Sequence, residues 1–179
     1  SAPFSWQNTT VEVPEGVARV HVRMTGKDIV GNTVYVYSSA DSYLGVSGIT
    51  GTGGIVDFRL PEGTYKFRAD YQGQQFKVSA GIAQDLINTV EITSMGVDFI
   101  LHVDTGSGPL PGADVYVFNA AGAYLGISGM TDASGQVVIS LADGSFKLRV
   151  DYLGYQYWTN TLTIPGVSET TLTIPHRNT

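Results

Sequence analysis

Apolar and polar side chains alternate along most of the chain with a period of two. Val20, Val22 and Met24 alternate with Arg19, His21 and Arg23, and Tyr65, Phe67, Ala69 and Tyr71 alternate with Lys66, Arg68 and Asp70. This spacing puts every second side chain on one face of an extended strand, so it predicts strands that turn one face to a core. No window carries the apolar stripe and flanking caps of a helix. Pro61-Glu62-Gly63 and Ala142-Asp143-Gly144 read as tight hairpin turns, and Thr131-Asp132-Ala133-Ser134-Gly135 as a slightly longer one. Six or seven short strands in roughly eighty residues is the count of a small antiparallel sandwich.

The pattern is written twice. Sliding the chain by 81 residues places Tyr43-Leu44-Gly45-Val46-Ser47-Gly48 on Tyr124-Leu125-Gly126-Ile127-Ser128-Gly129. Gly31 and Val34-Tyr35-Val36 fall on Gly112 and Val115-Tyr116-Val117, and Lys66, Arg68, Asp70, Tyr71 and Gly73 fall on Lys147, Arg149, Asp151, Tyr152 and Gly154. The expectation is an all-β chain of two tandem antiparallel β-sandwich domains. Residues 17–95 form the first repeat, 96–179 the second, and 1–16 an N-terminal strand extension.

Pro111-Gly112-Ala113-Asp114-Val115-Tyr116-Val117, then Gly129-Met130-Thr131-Asp132-Ala133-Ser134-Gly135, Asp143-Gly144-Ser145-Phe146-Lys147-Leu148-Arg149-Val150 and Leu153-Gly154-Tyr155, resemble the carboxypeptidase regulatory-like domain. The first repeat follows the same pattern with Gly51-Thr52-Gly53-Gly54 in place of the Thr-Asp-x-x-Gly turn. The resemblance implies a transthyretin-like (prealbumin-like) or Ig-like sandwich, as in the B-type repeats of collagen adhesins. It also implies an accessory, spacer or adhesive module of prokaryotic surface proteins, without catalysis. Relatives with lysine-asparagine isopeptide crosslinks make Lys27 and Asn88 the pair to test for one.

The first sixteen residues have their own relatives in the chain. Asn8-Thr9-Thr10-Val11-Glu12-Val13 looks like Asn88-Thr89-Val90-Glu91-Ile92-Thr93 and like Glu169-Thr170-Thr171-Leu172-Thr173-Ile174, the last strands of the two repeats. The N-terminus therefore reads as the closing strand of a domain whose body is absent. It has three readings: an extra edge strand on its own domain, the remnant of a longer array, or a donor strand docked on a neighbouring molecule. In the third, Phe4, Trp6, Val11 and Val13 are the candidate assembly strand. Burying each contributes about 1.5 to 3 kcal/mol, set against association costs of several kcal/mol.

Composition narrows the chemistry. The 179 residues carry a net charge of −6, only 15% charged side chains and no cysteine. Thiol catalysis, disulfides and cysteine-ligated metals are excluded, and ten scattered Lys and Arg offer no basic stripe for nucleic acid. No run is long and apolar enough to span a membrane. His21 and His102 occupy one strand position in the two repeats and point outward, and no motif supplies either with a catalytic partner. The Asp132 and Ser134 turn offers too few carboxylates for calcium. No enzyme activity, metal or cofactor is expected.

Tyr35, Tyr37, Tyr116, Phe118 and Trp158 alternate with core positions and are the candidate exposed aromatic contacts. Asn8-Thr9-Thr10 matches the glycosylation triplet, which makes Asn8 the candidate acceptor in a glycoprotein. The opening Ser-Ala-Pro-Phe reads as a terminus left by signal-peptide removal. Two functions stay open. One is a structural subunit of an extracellular filament or cell-surface appendage, a homopolymer built head-to-tail with itself as partner through its donated N-terminal strand. The other is a carbohydrate-binding or adhesive module pair, with glycans as the partner.

Overall fold

The structure is a computed structural model, and it describes residues 12–175. The first half runs β1 (Glu15–Met24), β2 (Lys27–Asp28), β3 (Thr33–Ser38), β4 (Tyr43–Ile49), a 3-10 turn (Thr52–Gly54), β5 (Ile55–Pro61), β6 (Gly63–Tyr71), β7 (Gln74–Ile82) and β8 (Ile87–Ser94). The second half repeats it as β9 (Val97–Asp104), β10 (Asp114–Asn119), β11 (Tyr124–Met130), β12 (Gln136–Leu141), β13 (Gly144–Tyr152), β14 (Tyr155–Trp158), β15 (Leu162–Ile164) and β16 (Glu169–Thr173). The chain is all-β, and each half is a two-sheet sandwich.

In the first half β1 lies between β5 and β8, with β2 pairing at its end, and packs on the sheet β4-β3-β6-β7. In the second, β9 lies between β12 and β16 and packs on β11-β10-β13-β14, with β15 also on β13. The period-two expectation holds: Ala18, Val20, Val22 and Met24 of β1 are fully buried, as are Val34, Val36, Phe67 and Ala69 on the facing sheet. A separate core gathers Phe99, Leu101, Val115, Val117, Phe146, Leu148 and Val150. The two cores distribute bulk differently. Phe67 stands where the repeat has Leu148, while Phe99 and Phe146 stand where it has Ala18 and Tyr65. Exchanges that move volume from one facing strand to another keep a core filled.

Two expectations are corrected. The sandwiches are not purely antiparallel, because β8 pairs parallel to β1, and β16 parallel to β9. The chain reaches each closing strand by crossing from the other sheet, a connection that delivers parallel pairing. Pro61-Glu62-Gly63 and Ala142-Asp143-Gly144 are also not hairpins. β5 pairs with β1 whereas β6 pairs with β3 and β7, so the turn between them is a corner between sheets. The Thr131–Gly135 segment likewise passes from the sheet of β11 to that of β12. Alternation and turn residues look the same for a hairpin and for a corner.

Two-residue hairpin turns lie elsewhere, Thr25-Gly26 between β1 and β2 among them. β6 and β7 join through Gln72-Gly73, and β13 and β14 through Leu153-Gly154. Both residues of each turn have positive φ, 48° and 71° in the first and 50° and 78° in the second. That pair of angles matches the right-handed twist of the flanking strands.

Candidate assembly surfaces

The aromatic positions fall on the outer faces of the β3 and β10 sheets, where their rings are partnered. The Arg68 guanidinium sits 4.8 Å from the Tyr35 ring centroid, and Lys77 Nζ 4.5 Å from that of Tyr37. Tyr43 packs edge-on against Tyr35 at 6.0 Å. In the second half Arg149 lies 4.8 Å from Tyr116 and 5.2 Å from Phe118, and is held by Asp151 through Nε at 2.8 Å. Tyr35, Tyr37 and Tyr116 are half-buried and Trp158 is 43% exposed. Phe118 corrects its expectation of exposure: it is buried, at 8%, because Trp158 packs on it at 4.8 Å and Tyr124 at 5.4 Å. Neighbouring rings tilt by 50° to 71°. Tilted rings with cations over their faces do not make a flat stacking platform.

Charges lock the same faces. Asp41, at φ 65° in the β3–β4 turn, takes hydrogen bonds from Lys66 and from Lys77, the latter at 2.8 Å. These bonds hold its carboxyl below the usual carboxylate range, Lys66 contributing most. The second half has Gly122 and Trp158 where the first has Asp41 and Lys77, so an ionic clamp in one half is an aromatic contact in the other. His21 faces outward but is bridged, with Nε2 2.9 Å from Asp28 and Nδ1 3.0 Å from Glu91. The hydrogen bond from His21, with Arg23 beside it, lowers Asp28. His102 stands 3.2 Å from Glu169.

Two smaller motifs resolve into architecture. Asp132 Oδ1 accepts the backbone N–H groups of Ser134 at 2.8 Å and Gln136 at 3.0 Å, closing its own turn. Asn88 is spent on the 83–88 turn, accepting from Ala83 N and donating to the carbonyls of Ala83 and Leu86. Asn88 pairs with Ala18 and Lys27 with Met24. These lie at opposite ends of β1, about 20 Å apart at the rise of a strand, so no isopeptide bond joins them. Sequence reasoning missed Thr50 and Thr131, equivalent and buried. Thr131 Oγ1 donates to Leu110 O at 2.7 Å and accepts from Ala113 N at 2.9 Å. Thr50 does the same with Ile29 O at 2.6 Å and Asn32 N at 2.9 Å.

The sheet edges differ between the halves. In the first, β7 pairs along nine residues of β6, and β8 along eight of β1. In the second, the strand equivalent to β7 is broken by residues 159–161 into β14 and β15, of four and three residues, and β16 has only five. Among the described strands, β8 and β16 each pair on one side only. Phe4, Trp6, Asn8 and Val11 lie outside the described residues, and Val13 is exposed just before β1.

The halves also touch each other. Gln72, at the β6–β7 tip, donates from Nε2 to Ser140 O at 3.0 Å and accepts at Oε1 from Ala142 N at 2.8 Å. Asp143 N donates to Ser94 Oγ at 2.8 Å, and Asp143 Oδ1 accepts from Gly96 N at 3.0 Å. A Cβ on Gly73 would lie 2.9 Å from Leu125 Cδ2 and 3.5 Å from Asn119 Cβ.

Solved structures with similar outlines include the Bacillus anthracis TIE protein, at 17% identity and TM-score 0.41 over 93% of this chain, which spans 34% of that one. A shaft pilin from Lactobacillus rhamnosus GG overlaps at 12% identity and TM-score 0.45, over 92% of this chain and 99% of its own. A minor pilin of Streptococcus agalactiae overlaps at 15% identity and TM-score 0.44, over 88% and 94%. No protein-family model matches the chain, so the likeness to the carboxypeptidase regulatory-like domain stays a resemblance. No curated protein matches it either. At such low identity and overlap, the functional reading rests on this chain's own geometry.

Proposed function

We propose that the chain is a structural subunit of an extracellular filament or cell-surface appendage, which assembles head-to-tail by donating its N-terminal strand to a neighbour. The observation that carries this reading is an imbalance of strands. In the second half the closing strand β16 is short and the β14–β15 edge of the other sheet is interrupted, where β8 and β7 of the first half are long and continuous. The N-terminus, meanwhile, holds a segment with the sequence of a closing strand. A strand supplied from outside completes such an edge through main-chain hydrogen bonds, with alternate side chains filling pockets.

The lead-in to β1 agrees. Pro14 O accepts the N–H of Glu62 at 2.9 Å, and at the equivalent corner of the second half Ser94 Oγ receives the N–H of Asp143. Residues 13–15 thus meet the first half much as the β8–β9 linker meets the second, as expected of a chain arriving from a preceding unit. Because donor and acceptor are different surfaces, the contact is heterologous, and it propagates as a fibre when the rotation between subunits does not close a ring.

Deleting residues 1–13 provides the test. The intact chain is expected to form filaments visible by electron microscopy. The truncated chain should keep its far-ultraviolet circular dichroism and melting temperature but remain dispersed. Ordered filaments from the truncated chain would overturn strand donation.

A further inference from the structure

Filament subunits joined by one strand need a second contact to fix their relative orientation, and the junction between the two halves supplies its template. Inside the chain, the Gln72-Gly73 tip seats against Asn119, Leu125 and the Ala142-Asp143 corner. Each of these has an equivalent at the outer ends of the molecule. The tip corresponds to Leu153-Gly154, and the seat to Ser38, Leu44 and the Pro61-Glu62 corner.

The outer copies are preserved in shape. Leu153 and Gly154 hold φ of 50° and 78°, against 48° and 71° at the inner tip. The outer copies are also uncovered: a Cβ on Gly154 meets nothing within 4 Å, Leu153 is 77% exposed and Leu44 42% exposed. A leucine in the left-handed region costs about 1 to 2 kcal/mol, and its apolar side chain is turned to water as well. The turn itself requires that φ, so what points to a contact is the large apolar side chain turned to solvent at a turn position where the inner tip has a polar residue.

The chemistry of both partners changes together. At the inner junction the amide of Gln72 bonds the N–H of Ala142 and the carbonyl of Ser140. At the outer seat the position of Ala142 is Pro61, which has no N–H to give, and at the outer tip the position of Gln72 is Leu153, which has no amide to receive one. A polar tip meets a polar seat inside the chain; at one end an apolar tip is left facing solvent, and at the other Leu44 and Pro61 form the apolar part of a seat rimmed by Ser38, Arg59 and Glu62.

We propose that the Leu153-Gly154 tip of one copy docks on the Ser38, Leu44 and Pro61 seat of a second copy of this chain, repeating between subunits the contact made between the halves. This rests on the head-to-tail reading but not on strand donation. Tip and seat are different surfaces at opposite ends, so the contact is heterologous and extends into a filament when the rotation between copies does not close a ring.

The absence of cysteine makes a crosslinking test direct. At the inner junction the Cβ of residue 73 would lie 3.5 Å from Asn119 Cβ, within the span that a disulfide bridges. The full-length double variant Gly73→Cys/Asn119→Cys should close an intramolecular disulfide on mild oxidation. The full-length double variant Ser38→Cys/Gly154→Cys should instead give a ladder of linked chains whose digests contain the 38–154 linked peptide. Adding Leu153→Gly should cut the yield of that peptide by about tenfold or more, since the tip loses the apolar side chain that it would bury against Leu44 and Pro61. A 38–154 link absent while the 73–119 control closes overturns the proposal, as does failure of the control itself. The two readings separate in the full chain carrying Phe4→Asp and Trp6→Asp. A 38–154 link that persists there without filaments supports this contact and removes strand donation, whereas parent filaments with no 38–154 link remove this contact and leave strand donation standing.

Discussion

At the residue scale the molecule uses few charges, and among the described residues six Lys and Arg side chains, Arg19, Arg23, Lys66, Arg68, Lys77 and Arg149, are ion-paired. Asp41 is the clearest case, because two lysines converge on it from β6 and β7 and hold its carboxyl below the usual range. A carboxylate lowered in the folded state stabilises the fold above its unfolded pKa of about 4, and that contribution is lost as pH falls through the folded value. Asp41→Asn should therefore lower the urea midpoint of the first half at pH 7 by a small amount, and less in high salt, because the pair is exposed. At pH 2 the variant and the parent should unfold at the same denaturant concentration. An equal difference at both pH values would show that Asp41 acts through its turn geometry rather than its charge. Alternation identified the outward faces carrying these groups. Which cation caps which ring was not legible, since that depends on strand neighbours such as Tyr35 and Arg68, 33 positions apart yet directly paired. Phe118 follows the same logic: its burial comes from Trp158 on another strand.

At the element scale the repeated Tyr-Leu-Gly-x-Ser-Gly run explains itself through its two glycines. The first, Gly45 or Gly126, has φ of 72° or 73° where β4 or β11 shifts register by a bulge against its neighbour. The second, Gly48 or Gly129, is extended and serves contact instead. A Cβ there would lie 2.8 Å from Val56 Cγ2 or Val137 Cγ2, because the edge strand of one sheet leans on the next strand of the other at this corner. Gly129→Val should thus wedge β11 away from β12 and destabilise the second half by about 1 to 3 kcal/mol, measurable by chemical denaturation. Full stability would mean that the sheets can part there freely. The motif was visible as a repeat, but its reason was not, because the same glycines serve a hairpin or a corner equally well. The corners at Pro61-Glu62-Gly63 and Ala142-Asp143-Gly144 were misread on the same ground: turn residues report a change of direction, while pairing decides the sheet to which the strand goes.

At the scale of the whole molecule, the 81-residue offset announced two similar units, and the two cores follow that repeat closely. How the units meet was not announced, because the junction lives in the positions where the repeats differ. Gln72 and Ala142 are paired inside the chain, whereas their equivalents Leu153 and Pro61 lie at opposite ends. If those two pairs are alternative solutions for one contact, the outer pair should work when transplanted inward. Gln72→Leu alone leaves Ala142 N–H and Ser140 C=O without their side-chain partner, and Ala142→Pro alone leaves the Gln72 amide without its donor. Each should loosen the junction, lowering the second transition in thermal unfolding and raising interdomain mobility by NMR relaxation. Proline is tolerated at that corner in the first half, and the Ala142 N–H donates to Gln72, so the double variant removes donor and acceptor together. It instead brings leucine against proline. The double-mutant cycle should therefore show a favourable coupling of about 0.5 to 3 kcal/mol, with the double variant more rigid than either single one. Strict additivity would mean that Leu153 and Pro61 are unrelated surface residues, and it would remove the matched substitution from the case for contact between copies.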